Sequence, residues 1–166
     1  MIAAKNDEIE FPISSCGAEL ALPRGREAKL VPRILIVDDD AAVRALLRVI
    51  AERQGLEVDE TADGNQCLDL VARNVYDLVV LDLGASHRSG FDLIDCLRRK
   101  ADRPAVIVVA AFSRWGFVDV DPDMVHCIMR KPFDLDLIAA TMASTARAIH
   151  DRRGVRSVLR PFFYGR

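Results

Sequence analysis

The chain has 166 residues, 51% apolar and 29% charged, the balance of one water-soluble globular domain with appendages. Its longest apolar run, 105–112, falls far short of the roughly 20 residues that a bilayer span needs, so no membrane contact is expected. The net charge of −2 is unevenly spread: five arginines and one aspartate put +4 on residues 151–166, leaving −6 on the rest, an acidic body that argues against direct DNA binding.

Residues 1–32 lack sustained periodicity and are broken by Pro12, Pro23, Gly25 and Pro32, so they read as a loosely structured leader. Organised pattern starts at Arg33. The stretch Ile34, Leu35, Ile36, Val37 is aliphatic without alternation, which suits a strand buried on both faces. Residues 41–55 follow as a helix, with Val43, Leu46, Leu47 and Ile50 at helical spacing and Gly55 placed to close it. A short strand is expected over 56–61, and a second helix over 63–74 with Asp63 as N-cap. Another buried strand, 76–83, runs to Asp82; a third helix spans 90–100 and a fourth strand 105–111.

The stretch 113–124 stands where a helix belongs, yet Gly116, Val118, Val120 and Pro122 make a poor one, so an irregular element is expected. A fifth strand over 124–132 and a closing helix over 134–151, with Ile138, Met142 and Ile149 on one face, complete the domain. Strands alternating with helices predict an α/β, doubly wound parallel sheet. The expected organisation is a leader at 1–32, the domain at 33–150 and a basic aromatic tail at 151–166 that folds back on it.

The first strand ends in Asp38, Asp39 and Asp40, and the third ends in Asp82. Carboxylates gathered at the carboxyl edge of an open sheet repel one another and raise each other's pKa unless a cation lies between them. Such a set suits a hard divalent cation with oxygen ligands, Mg²⁺ above all. Lys131, at the end of the fifth strand and followed by Pro132, is placed to offset the remaining charge. Asp40 reads as the N-cap of the first helix.

The runs "ILIVDDD", "DLVVLDL" with the later "SG", and "RKPF" come in the order and approximate spacing of a response regulator receiver domain, which the sequence resembles over residues 33–150. The resemblance implies a five-stranded flavodoxin-like (βα)5 fold with strand order 2-1-3-4-5. It implies that Asp38 and Asp39 bind Mg²⁺ together with Asp82 and the backbone carbonyl of Gly84. It makes Asp82 the phosphoacceptor and Lys131 the residue that contacts the phosphoryl group. Gly90 matches the family's loop glycine, and the bond before Pro132 is expected to be cis. The implied function is a cytoplasmic, non-enzymatic phosphoprotein of a two-component phosphorelay. A stand-alone response regulator of this kind takes its phosphoryl group from a histidine kinase or histidine phosphotransfer protein, forms an aspartyl phosphate and acts through a downstream protein partner.

Two switch positions depart from the family. Ala110 stands where a Thr or Ser hydroxyl usually ends strand four, and Ile128 where strand five usually carries Tyr or Phe. Ser113 lies three residues past the hydroxyl position, and Ser86 replaces a common proline in the loop after Asp82. These departures support a second reading, a degenerate receiver that binds partners without phosphorylation. A third reading, a haloacid-dehalogenase-type phosphatase with Asp38 as nucleophile, draws on the D-x-D within "IVDDD". It is weak, because Ala42 and the lack of a late Gly-Asp-x-x-x-Asp motif oppose it.

The remaining chemistry-bearing residues read as structural. Cys16, Cys67, Cys96 and Cys127 are widely spaced, as reduced thiols of a cytosolic protein are. His87 reads as a surface residue, His126 as partly buried and His150 as exposed at a helix end, and Trp115 falls in the irregular segment. Phe162, Phe163 and Tyr164 mix with arginine in the tail.

Overall fold

A computed structural model describes residues 31–83, 89–111 and 124–163, without the side chains of 89–92 and 155–163. The chain order is β1 (Arg33–Val37), α1 (Ala41–Arg53), β2 (Glu57–Thr61), α2 (Gly64–Arg73), β3 (Leu78–Asp82), α3 (Ser89–Arg98), β4 (Ala105–Ala111), β5 (Val125–Lys131) and α4 (Leu135–Phe163). All strand pairs are parallel and the sheet order is β2-β1-β3-β4-β5, as expected.

The unbroken aliphatic runs follow from this layering. Successive strand residues point to opposite faces, and here both faces are covered. Leu35, Val37, Val79, Leu81, Val106 and Val108 pack with Cys67 and Val71 of α2 and Leu93 and Leu97 of α3. Ile34, Ile36, Leu78, Val80, Ile107 and Val109 pack with Leu47 and Ala51 of α1 and Ile138, Met142 and Ala146 of α4. At about 1.5–3 kcal/mol for each fully buried aliphatic side chain, these two layers dominate the stability of the sheet.

Local chemistry sets the helix ends. Asp40 caps α1, its carboxylate accepting from the amides of Ala42 and Val43, and Asp63 caps α2 through Asn65. Gly55, at φ 73°, takes the left-handed conformation that ends α1 cheaply. The Lys131–Pro132 bond is cis, as the resemblance implied.

Four expectations need correction or extension. Leu46 does not join the core: it is 40% exposed, while Leu47 and Ala51 are buried, because the helix turns a slightly different stripe toward the sheet. His126 is exposed rather than partly buried. His150 is not at a helix end, since α4 runs on to Phe163 across the boundary expected at 150. Its ring is instead half-buried, with Nδ1 3.2 Å from Asp77 Oδ2. The expected irregular stretch at 113–124, with Ser113 and Trp115, lies outside the described residues apart from Met124, and the leader up to residue 30 lies outside them too.

A second polar cluster ties α4 to the amino edge of the sheet. The Asp77 carboxylate is 5% exposed and accepts from the Arg33 amide (2.9 Å) and from Arg153 Nη1 (2.8 Å). Arg153 also donates to the carbonyls of Tyr76 and Asp102. Arg153, near the start of the expected tail, thus contacts the domain from within a continuous helix, while the aromatic residues Phe162, Phe163 and Tyr164, expected to fold back, lie outside the described side chains.

Candidate functional site

The opposite, carboxyl edge of the sheet gathers the acidic residues. Register explains why: Val37 is level with Leu81, and Asp82 with Val109, so the residues that follow β1 and end β3 stand side by side. Asp38 continues the β1 ladder by donating its amide to the Thr61 carbonyl at 3.2 Å. Oxygen atoms of Asp38, Asp39 and Asp82 all lie within 4.8 Å of one another. Asp38 and Asp82 are buried, at 1% and 6% exposure, and Asp39 is exposed.

Lys131 closes this cluster from β5. Its Nζ lies 2.7 Å from Asp38 Oδ2 and 2.7 Å from Asp82 Oδ2. The reach crosses the end of β4, which finishes in Ala110 and Ala111, so only small side chains stand there. Burial works against charge on Lys131, but its bonds to the two carboxylates outweigh that cost and hold its pKa above the ordinary lysine value. Burial pushes the Asp38 carboxyl up despite the lysine and the Asp40 amide, with the Asp82 charge adding to the rise.

Among the described residues, the Lys131 ammonium bonds two of the three carboxylates, and the Arg44 guanidinium is bonded to the carbonyls behind them rather than to a carboxylate. Hard oxygen donors and close spacing fit a divalent cation such as Mg²⁺, with Asp38, Asp39 and Asp82 as the residues that would hold it. Asp40 is not one of the clustered carboxylates, and its Oδ1 caps α1, accepting from the Ala42 and Val43 amides at 2.8 and 3.2 Å. Those bonds hold the Asp40 carboxyl below the usual range, that from Val43 most strongly. Gly84, Ser86 and His87 lie outside the described residues, and Gly90 falls in the first turn of α3.

Ala110 and Ile128, expected from the resemblance to be atypical switch positions, are both described. Ala110 is 2% exposed, one residue past the partner of Asp82, and offers no hydroxyl to the cluster. Ile128 is half-buried and packs against the same apolar layer as Ala110.

Two residues of the site went unnoticed in the sequence. Arg44 Nη1 donates to the Asp38 carbonyl at 2.7 Å and the Asp39 carbonyl at 3.1 Å. Its one local signal is a cation in the fourth position of a helix, where the helix dipole disfavours positive charge. Thr61, 3% exposed at the end of β2, donates its hydroxyl to Gln66 Oε1 at 2.5 Å and packs the turn beside Asp38.

No described helix is long and apolar enough to cross a membrane. Comparison with known proteins agrees with the geometry. Response regulator MprA of Mycobacterium sp. (strain KMS) is 35% identical over 119 residues, 69% of this chain and 50% of that protein. The chain therefore spans about half the length of this relative. Sporulation initiation phosphotransferase F of Bacillus subtilis is 29% identical over 109 residues, 64% of this chain and 86% of that protein. The REC domain of AraT, a response regulator from Geobacillus stearothermophilus, shares the fold with a TM-score of 0.66 at 23% identity, covering 75% of this chain and 99% of that one. The response regulator TrrA of Thermotoga maritima, solved in complex with Mg²⁺-BeF, superposes with a TM-score of 0.61 at 27% identity, covering 69% and 99%. The model of the response regulator receiver domain matches residues 34–143, and the chain belongs to that family of two-component signalling domains.

Proposed function

We propose that Asp82 accepts a phosphoryl group from the phosphohistidine of a histidine kinase or histidine phosphotransfer protein. The observation that carries this reading is the placement of Lys131 Nζ, 2.7 Å from Asp82, beside three carboxylates spaced closely enough to hold a metal ion. A carboxylate oxygen of Asp82 attacks phosphorus, and the bond from phosphorus to the donor imidazole breaks with its electron pair on the ring nitrogen. A carboxylate attacks without a base to remove a proton. Lys131 faces the transferred oxygens with a fixed positive charge, which is most of what phosphoryl transfer asks of a protein. Mg²⁺ held by Asp38, Asp39 and Asp82 supplies the remaining neutralisation when bound.

In this reading the domain is the substrate of the transfer and not an enzyme. Its likeness to a sporulation initiation phosphotransferase over most of that protein's length supports a place in a phosphorelay. The acidic balance of residues 1–150 supports output through protein contact rather than through DNA. Such a role belongs in the cytoplasm, in keeping with the free thiols of Cys67, Cys96 and Cys127.

Ala110 and Ile128 support a second reading, in which the domain binds a partner without phosphorylation. The phosphatase reading has less support: both carboxylate oxygens of Asp38 are bonded, Oδ1 to the Asp40 amide and Oδ2 to Lys131, and the match to the receiver-domain model over residues 34–143 favours Asp82 as the reacting carboxylate. Incubation with Mg²⁺ and acetyl phosphate, read by intact mass, separates the first two. A gain of one phosphoryl group that Asp82→Asn abolishes supports the phosphoacceptor. No gain from acetyl phosphate or from phosphorylated kinases, in folded protein, favours the binding module.

A further inference from the structure

We propose that Arg44 is a positioning residue that sets the affinity of the acidic site for its divalent cation by fixing the turn that carries Asp38 and Asp39. The proposal rests on the metal-assisted phosphoacceptor reading above. Arg44 lies in the first turns of α1, and its Nη1 bridges two consecutive carbonyls, those of Asp38 and Asp39. The same turn is tied by the Asp38 carboxylate to the Asp40 amide, and by the Arg44 amide to the Asp40 carbonyl at 2.9 Å.

The three acidic residues differ in what holds them. Asp38 has both carboxylate oxygens bonded, to Asp40 and to Lys131. Asp82 sits on a strand with its neighbours on both sides. Asp39 is exposed, and among the described residues nothing holds its carboxylate. Its side chain therefore goes where its backbone sends it, and Arg44 is what anchors that backbone at the carbonyl. Without the bridge, the peptide after Asp39 is held only by the bond from the Asp40 amide to the Asp38 carboxylate, and the third carboxylate of the set loses one of the two ties that fix its origin.

Charge and position make opposite predictions for this residue. A cation beside the cluster competes with a divalent ion, so removing Arg44 purely as a charge tightens binding. Removing it as a strut weakens binding, because outer contacts that orient metal ligands are typically worth 10–100-fold in affinity. The sign of the change identifies the role.

The test is Mg²⁺ titration by calorimetry at fixed ionic strength, on the full chain, for wild type, Arg44→Gln and Arg44→Lys. Urea unfolding without Mg²⁺ establishes that each variant is folded. Arg44→Gln is expected to weaken Mg²⁺ about tenfold, at the low end of the range for outer contacts. Arg44→Lys, which keeps the charge and can reach a carbonyl, is expected to recover part of the loss. A residue that only stabilises the helix start would lower the urea midpoint and leave the affinity of the folded protein unchanged. Unchanged or tighter binding in folded Arg44→Gln overturns the proposal while leaving the acidic site intact. A wild type that takes up no Mg²⁺ overturns the metal reading, and this proposal with it.

Discussion

Replacing Lys131 with methionine removes the charge at the centre of the site and keeps most of the stem. Lys131 makes two bonds of 2.7 Å, to Asp38 and Asp82, whose side chains are 2% and 8% exposed, and its own side chain is 22% exposed. Charge-assisted hydrogen bonds contribute about 1.5–3 kcal/mol each, and the partial exposure of the lysine favours the lower end, giving about 3 kcal/mol for the pair. Electrostatics gives a similar figure. Two carboxylates at the 4.8 Å limit of the cluster repel by about 3.5 kcal/mol at an effective dielectric of 20, a cost that the ammonium now offsets. Protonation of buried Asp38, whose carboxyl is already pushed up, relieves part of this as pH falls.

Lys131→Met is therefore expected to lose about 3 kcal/mol in urea unfolding at pH 7.5 without Mg²⁺. Millimolar Mg²⁺ stabilises the variant more than the wild type, because the ion meets two carboxylates that have lost their ammonium. Adding Asp82→Asn to the variant restores part of the loss by removing one of the repelling groups. A loss below about 1 kcal/mol, or a double variant less stable than Lys131→Met, would refute the account of the site as an acidic cluster held by one lysine.

Three further outcomes follow from other parts of the molecule. Asp77→Ala leaves the Arg33 amide without its acceptor, removes the carboxylate from Arg153, which keeps the Tyr76 and Asp102 carbonyls, and is expected to cost about 2–4 kcal/mol, seen as a lower urea midpoint at an unchanged slope; no change in midpoint would show that the Asp77 contacts carry no stability. Asp40→Ala removes the cap of α1 and lowers the melting temperature at pH 7. The Asp40 carboxyl is depressed below 3.8 in the fold, so its contribution is present above that pH and lost as pH falls through the folded value; the gap to wild type should narrow below pH 3.8, and a constant gap would argue against the charged cap. Iodoacetamide at pH 8 should label exposed Cys96 in the folded protein and spare Cys67, which is fully buried with its thiol pushed up to about 12; labelling of Cys67 at the same rate would contradict the packing of α2.

What the sequence revealed and what it hid divide along one physical line. Strand ends are legible because a parallel sheet brings equivalent ends together, so Asp38, Asp82 and Lys131 could be placed on one edge from spacing alone. N-caps are legible because Asp40 and Asp63 act within three residues of themselves. The buried stripe of α1 was legible only to within one position: Leu46 and Leu47 both fit helical spacing, and the sheet beneath, not the helix, decides that Leu47 is covered.

The Asp77 clamp was not legible. Its donors come from Arg33, His150 and Arg153, brought together only once α4 has packed across the sheet and continued past residue 151, where the sequence pattern placed its end. Arg44 was hidden for a different reason. Its bonds are local, five and six residues back, but they are made to carbonyls, which every residue carries and no sequence displays. A motif reports the carboxylates of a site and not the peptide groups that aim them. The residues that aim the carboxylates here are therefore the ones that spacing passes over, and Asp39, held through its backbone alone among the described residues, is where the aim is decided.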